Sequence, residues 1–162
     1  PSRRLGRSRA GTAVKILAAS LALLLTACSA ALPLAQGDVR APFISQYQVT
    51  AEDGTDSLVV GEYQGADRWR WLQTSPLGAP LARQIYESGQ WRNDGFLPPN
   101  RSATALFTAL MLRENPAAFP QVQREGDDYR FRGQRWLHEQ TRNAVHELTT
   151  PAGRWQVKAL TP

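Results

Sequence analysis

Between residues 43 and 160, apolar and polar positions alternate in short runs, the period of two that a half-buried strand imposes. Trp69 and Trp71 face one way and Arg70 and Leu72 the other; Tyr129 and Phe131 oppose Arg130 and Arg132; Trp155 and Val157 share a face. The runs cover 44–50, 57–63, 67–73, 81–87, 90–93, 128–132, 135–140, 144–149 and 154–160. Turn-forming residues divide them: Glu52-Asp53-Gly54, Gly65-Ala66, Ser75-Pro76-Leu77-Gly78, Ser88-Gly89, Gly133, Thr141-Arg142-Asn143 and Pro151-Ala152-Gly153. Nine short strands at this spacing predict a meandering antiparallel sheet. Ser88-Gly89 has the length of a two-residue hairpin turn.

One segment has a different period. Residues 102–115 read SATALFTALMLREN, rich in helix formers, with Ser102 in the position of an N-cap and Pro116 forcing its predecessor out of the α region. Leu106, Phe107, Leu110 and Met111 form one apolar stripe, which Ala103, Ala109 and Leu112 widen. A helix this apolar needs cover on most sides. The expected fold is therefore mainly β: a curved antiparallel sheet, apolar on its concave side, forming an unclosed barrel with the helix as a lid or plug.

The first 30 residues are patterned differently again. Arginines at 3, 4, 7 and 9 precede an apolar stretch over 16–25 and small residues before Cys28, the three-part layout of a secretory signal peptide. Only twelve uncharged residues separate Lys15 from Cys28, whereas a spanning helix needs roughly 20. Unbroken Ala/Leu with little β-branching argues against a strand. Leu25-Thr26-Ala27-Cys28 resembles the bacterial lipobox, in which the cysteine is acylated and the leader is cut just before it. That resemblance implies a lipid-anchored protein, since several acyl chains on one residue hold permanently where one binds reversibly. Ser29, where an aspartate would signal inner-membrane retention, points to the outer membrane, with the domain in the periplasm. The expected organisation is a leader over 1–27, acylated Cys28 with a flexible tether through 42, and a folded domain over 43–162. Two prolines and a glycine in SAALPLAQGDVRAP suit a tether, reaching about 45 Å when extended.

Charge changes meaning once the leader is set aside. The chain carries +5, which alone would suggest nucleic acid. Five of its 19 basic residues precede the apolar run and no acidic residue precedes Asp38, so from Cys28 onward 14 basic residues face 14 acidic ones. A neutral, interleaved surface gives no reason to expect a nucleic-acid partner. Cys28 being the only cysteine, no internal disulfide can support the domain.

Catalytic chemistry has little to stand on. No Gly-x-Ser-x-Gly elbow and no glycine-rich phosphate loop occurs, and Asp127-Asp128 sits in a turn. His138 and His146, each followed by a glutamate, are eight apart and could meet across adjacent strands. Such pairs more often form a polar strand face, so no metal or other cofactor is expected, and a lipid-modifying enzyme built on these histidines is the weakest alternative. Five tryptophans are the stronger clue, because aromatic side chains serve equally to fill a core and to line an apolar cavity.

The run 67–91, DRWRWLQTSPLGAPLARQIYESGQW, followed by the helix after Leu97-Pro98-Pro99-Asn100, resembles an uncharacterised family of bacterial lipoproteins often encoded beside aryl polyene synthesis genes. That family is similar in architecture to LolB, the outer-membrane lipoprotein receptor, and to its periplasmic partner LolA. The resemblance spans about 43–160. It implies an unclosed barrel whose cavity takes up acyl chains beneath a moving helix, and an exposed apolar loop residue, for which Leu97 is the candidate. The expected function is binding and transfer of a hydrophobic or acylated ligand, without a covalent step. Trp69, Trp71, Ile85, Phe107, Leu110 and Met111 are the cavity candidates. A periplasmic carrier or an inner-membrane transporter would be the partner. The alternative is a non-catalytic envelope protein with a filled interior that docks a transporter or synthase.

Overall fold

The computed structural model describes residues 31–36 and 40–160. Leu25, Thr26, Ala27, Cys28 and Ser29, with the leader and anchor assigned to them, lie outside the described residues.

Ten strands form one antiparallel sheet: β1 (Phe43–Ala51), β2 (Asp56–Gly65), β3 (Arg68–Thr74), β4 (Pro80–Glu87), β5 (Gln90–Asn93), β6 (Val122–Glu125), β7 (Asp128–Phe131), β8 (Gln134–Arg142), β9 (Val145–Thr150) and β10 (Gly153–Ala159). Helix α1 (Arg101–Glu114) and a 3₁₀ turn (Pro116–Ala118) lie between β5 and β6. The spatial order is β5-β4-β3-β2-β1-β10-β9-β8-β7-β6, so the sheet does not close and the chain's middle supplies both edges. Short loops make this meander possible. Ser88-Gly89, Arg132-Gly133 and Asn143-Ala144 all have positive φ at both positions, the turn whose twist matches that of the flanking strands.

The sheet's inner face is where its large side chains gather. Tyr47 and Val49 from β1, Val59 and Tyr63 from β2, Trp69 and Trp71 from β3, Leu148 from β9, and Trp155 and Val157 from β10 are all buried. Gly61 interrupts this face for a physical reason: a Cβ there would lie 2.6 Å from the Trp71 ring, so only glycine lets the indole lie flat on β2.

Helix α1 is enclosed. All ten residues from Ala103 to Leu112 are buried, including Thr104 and Thr108 on the flank opposite the predicted stripe. Its cap differs from expectation. The N-cap is Asn100, whose side chain accepts from the Ala103 amide at 3.0 Å, while Ser102 lies exposed within the first turn. Asn and Ser cap about equally well, and Pro98-Pro99 brings the chain into the helix two residues earlier.

The tether expectation fails over its middle. Ala35 is 4% exposed and belongs to the core, and Leu32 packs against it. The Ala35 carbonyl accepts from the Tyr86 hydroxyl at 2.6 Å, the Gln36 amide donates to the Ala118 carbonyl at 2.6 Å, and the Gln121 side chain donates to the Leu34 carbonyl at 2.5 Å. Residues 32–36 thus belong with the folded unit, which begins at Leu32 and not at Phe43.

Candidate functional site

Inside the sheet an aromatic column runs from strand to helix. Trp69 and Trp71 are stacked at 5.3 Å between ring centres, and Trp71 stacks on Phe107 of α1 at 5.2 Å, with interplanar angles of 14° and 13°. Tyr63 and Phe43 close one end of the column against Trp69. Trp91 of β5 reaches Phe107 at 6.3 Å and Tyr86 at 5.2 Å. The indole N–H groups of Trp71 and Trp91 are buried with no acceptor. Each such orphan costs about 1–3 kcal/mol, offset here by the apolar area the rings cover.

Polar side chains hold both ends of α1. Gln84 on β4 exchanges hydrogen bonds with Thr104 at 2.9 and 3.0 Å. At the far end, Tyr47 donates to Glu114 at 2.6 Å, and Arg113 donates to Glu139 Oε1 at 3.1 Å and to His146 Nε2 at 2.7 Å. Arginine can only donate, so His146 Nε2 accepts and its proton sits on Nδ1, facing Thr141 at 2.9 Å and Glu139 at 3.1 Å. Tyr129 donates to the other Glu139 oxygen at 3.1 Å. Burial pushes the Tyr47 hydroxyl up, and its bond to Glu114 adds to the effect. Tyr129 moves the same way, through burial and the Glu139 charge. These ties join α1 to the sheet at both ends.

The cavity candidates do not share one space. Trp69, Trp71, Phe107, Leu110 and Met111 all belong to the inner core. Ile85 lies on the opposite face: Trp69 pairs with Tyr86 and Trp71 with Gln84, whereas Ile85 pairs with Arg70 and Arg92. There it is buried at 5% exposure on a face where Arg70 and Arg83 bind Asp94 at 2.9 and 3.2 Å. Burial works to raise the Asp94 pKa, but the two guanidinium groups outweigh it and hold the carboxyl below its usual range. The histidines are separated likewise. His146 faces inward, and His138 faces outward to Asp128 at 2.6 Å. Among the described residues no group of three or more His, Cys, Asp or Glu could hold a metal ion.

Two exposed apolar side chains stand out. Leu77, at the tip of the β3–β4 loop, is 97% exposed, and Phe96, in the segment after β5, is fully exposed. Leu97 is half-buried, so the exposed loop position anticipated for it falls to its neighbour and to Leu77. The antiparallel meander puts both loops at one end of the sheet, with the β1–β2, β7–β8 and β9–β10 turns. No family model and no curated protein matches the chain. Among described helices none is long and apolar enough to cross a membrane.

Sequence reasoning missed the inner polar belt and the docked segment. Glu139 follows His138, and alternation from Leu137 turns it inward, opposite Leu148. The Leu32–Gln36 contacts span 51 to 87 positions and leave no local signal.

Proposed function

We propose that the protein is an outer-membrane-anchored periplasmic lipoprotein, held through acylated Cys28, that binds a hydrophobic or acylated ligand and passes it on, in the manner of a LolB-like half-barrel. The observation that carries this reading is the pair Leu77 and Phe96, both projecting into solvent from one end of an unclosed sheet whose inner face is apolar. Exposed apolar side chains brought to one end of a molecule are suited to contact with another apolar surface. The mechanism is burial of acyl area, at about 25 cal/mol per Å².

A second reading is favoured by the stacked column itself. Rings of Trp69, Trp71 and Phe107 in contact pack the interior around a helix tied to the sheet at both ends, as suits a non-catalytic envelope protein that docks a transporter or synthase. Native mass spectrometry of the chain from residue 28 onward, incubated with a triacylated lipopeptide, separates the two. Carriage predicts a one-to-one complex lost in L77D/F96D; a protein that never holds lipopeptide supports docking alone.

A further inference from the structure

The contacts that hold Leu32–Gln36 are of one kind. Tyr86 Oη donates to the Ala35 carbonyl, the Ala118 carbonyl accepts from the Gln36 amide, and Gln121 Nε2 donates to the Leu34 carbonyl. On the segment's side all three partners are main-chain atoms, so the surrounding surface reads an extended peptide backbone. Selectivity enters at two positions, Pro33 and Ala35, both buried, with Ala35 part of the core that also holds Tyr86. Main-chain hydrogen bonds supply affinity, and a pocket for a chosen side chain supplies choice, as where peptides dock along sheets. Beside the segment a cleft of about 600 Å³ opens between Leu32, Leu34 and Gln36 on one side and Pro120, Gln121, Phe131 and Arg132 on the other.

We infer that this seam, bounded by Tyr86 and by the Ala118–Gln121 stretch, is a peptide-binding groove, and that Leu32–Gln36 is its built-in occupant. The partner it fits is an extended, apolar polypeptide segment with a compact apolar residue such as proline at the Pro33 position and a small residue at the Ala35 position. Such a segment takes the groove by displacing the resident strap. Displacement uncovers Tyr86, whose ring touches Trp91. The groove is a property of the folded unit and holds whether or not the interior accepts lipid.

The test uses the full chain and a fluorescein-labelled peptide of residues 31–36, ALPLAQ, read by fluorescence anisotropy. Ala35→Glu places a charge in the buried position and frees the strap, so the variant should bind the peptide at least about tenfold more tightly than the wild type, where the strap competes. Adding Tyr86→Phe to that variant should weaken peptide binding again. Equal, undetectable binding in wild type and a folded Ala35→Glu chain overturns the inference. Should Ala35→Glu fail to fold, hydrogen exchange on the wild type decides. The Gln36 amide should be protected and lose protection in excess peptide; a Gln36 amide exchanging at the rate of free chain, or unchanged by peptide, overturns it.

Discussion

The Tyr86 hydroxyl donates to the main-chain carbonyl of Ala35, 51 positions earlier, at 2.6 Å. Through it β4 fixes the chain just ahead of the sheet, and both partners are buried. Tyr86→Phe keeps the ring against Trp91 and removes only the donor. The Ala35 carbonyl is then left buried and unpaired, which costs about 1–3 kcal/mol. Urea unfolding should show a lower midpoint with an unchanged slope.

Gly61 makes a sharper test of the aromatic column. Its missing Cβ is the space that the Trp71 ring occupies, at 2.6 Å from the position a methyl would take. Gly61→Ala favours the strand by propensity but collides with a ring stacked on two others. The collision should win, destabilising by about 1–3 kcal/mol, and the near-ultraviolet circular dichroism from stacked indoles should change. An Ala variant as stable as wild type would show that the column is looser than described.

Phe107→Ala removes the helix's share of the same stack. Phe107 is fully buried between Trp71 and Trp91. Its truncation should cost about 3–5 kcal/mol, read as a fall in thermal midpoint. The cavity left beside two indoles should bind a small apolar probe that the wild type excludes.

Alkali should weaken the fold through its tyrosines. Burial, with the Asp67 charge adding to it, pushes the Tyr86 hydroxyl up to about 12. The unfolded chain releases that proton near pH 10. The native state therefore holds more protons above that pH, and stability falls as pH rises. Tyr86's contribution is complete below about pH 10 and lost by the time pH passes about 12. Phenolate absorbance should rise late and together with loss of ellipticity, and Tyr86→Phe should flatten the decline.

Much of the sheet was legible because alternation and turn chemistry agree. Trp69-Arg70-Trp71 marks its faces without help, and Ser88-Gly89 names its turn. What escaped did so for identifiable reasons. Strand β6, Val122-Gln123-Arg124-Glu125, is a short polar edge paired with β7 alone, so no apolar alternation betrays it. In β4 the chemistry of two neighbours is inverted. Gln84 points inward because Thr104 awaits it on α1, and Ile85 points outward among arginines. Hydrophobicity alone would assign them the other way. Ser102 lost the cap to Asn100, an equally good capping residue two positions away. The docking of Leu32–Gln36 rests on contacts to Tyr86, Ala118 and Gln121, which composition cannot foresee.

Leu77 and Phe96 carry the functional proposal, and they are free of stabilising roles. L77D/F96D should leave the unfolding free energy from urea titration within about 0.5 kcal/mol of wild type, since neither side chain is buried. The decisive measurement is native mass spectrometry of the chain from residue 28 onward after incubation with a triacylated lipopeptide. The account predicts a one-to-one lipopeptide complex for wild type and its loss in L77D/F96D. A wild-type protein that remains free of lipopeptide, or a double variant that holds it equally well, would contradict the account.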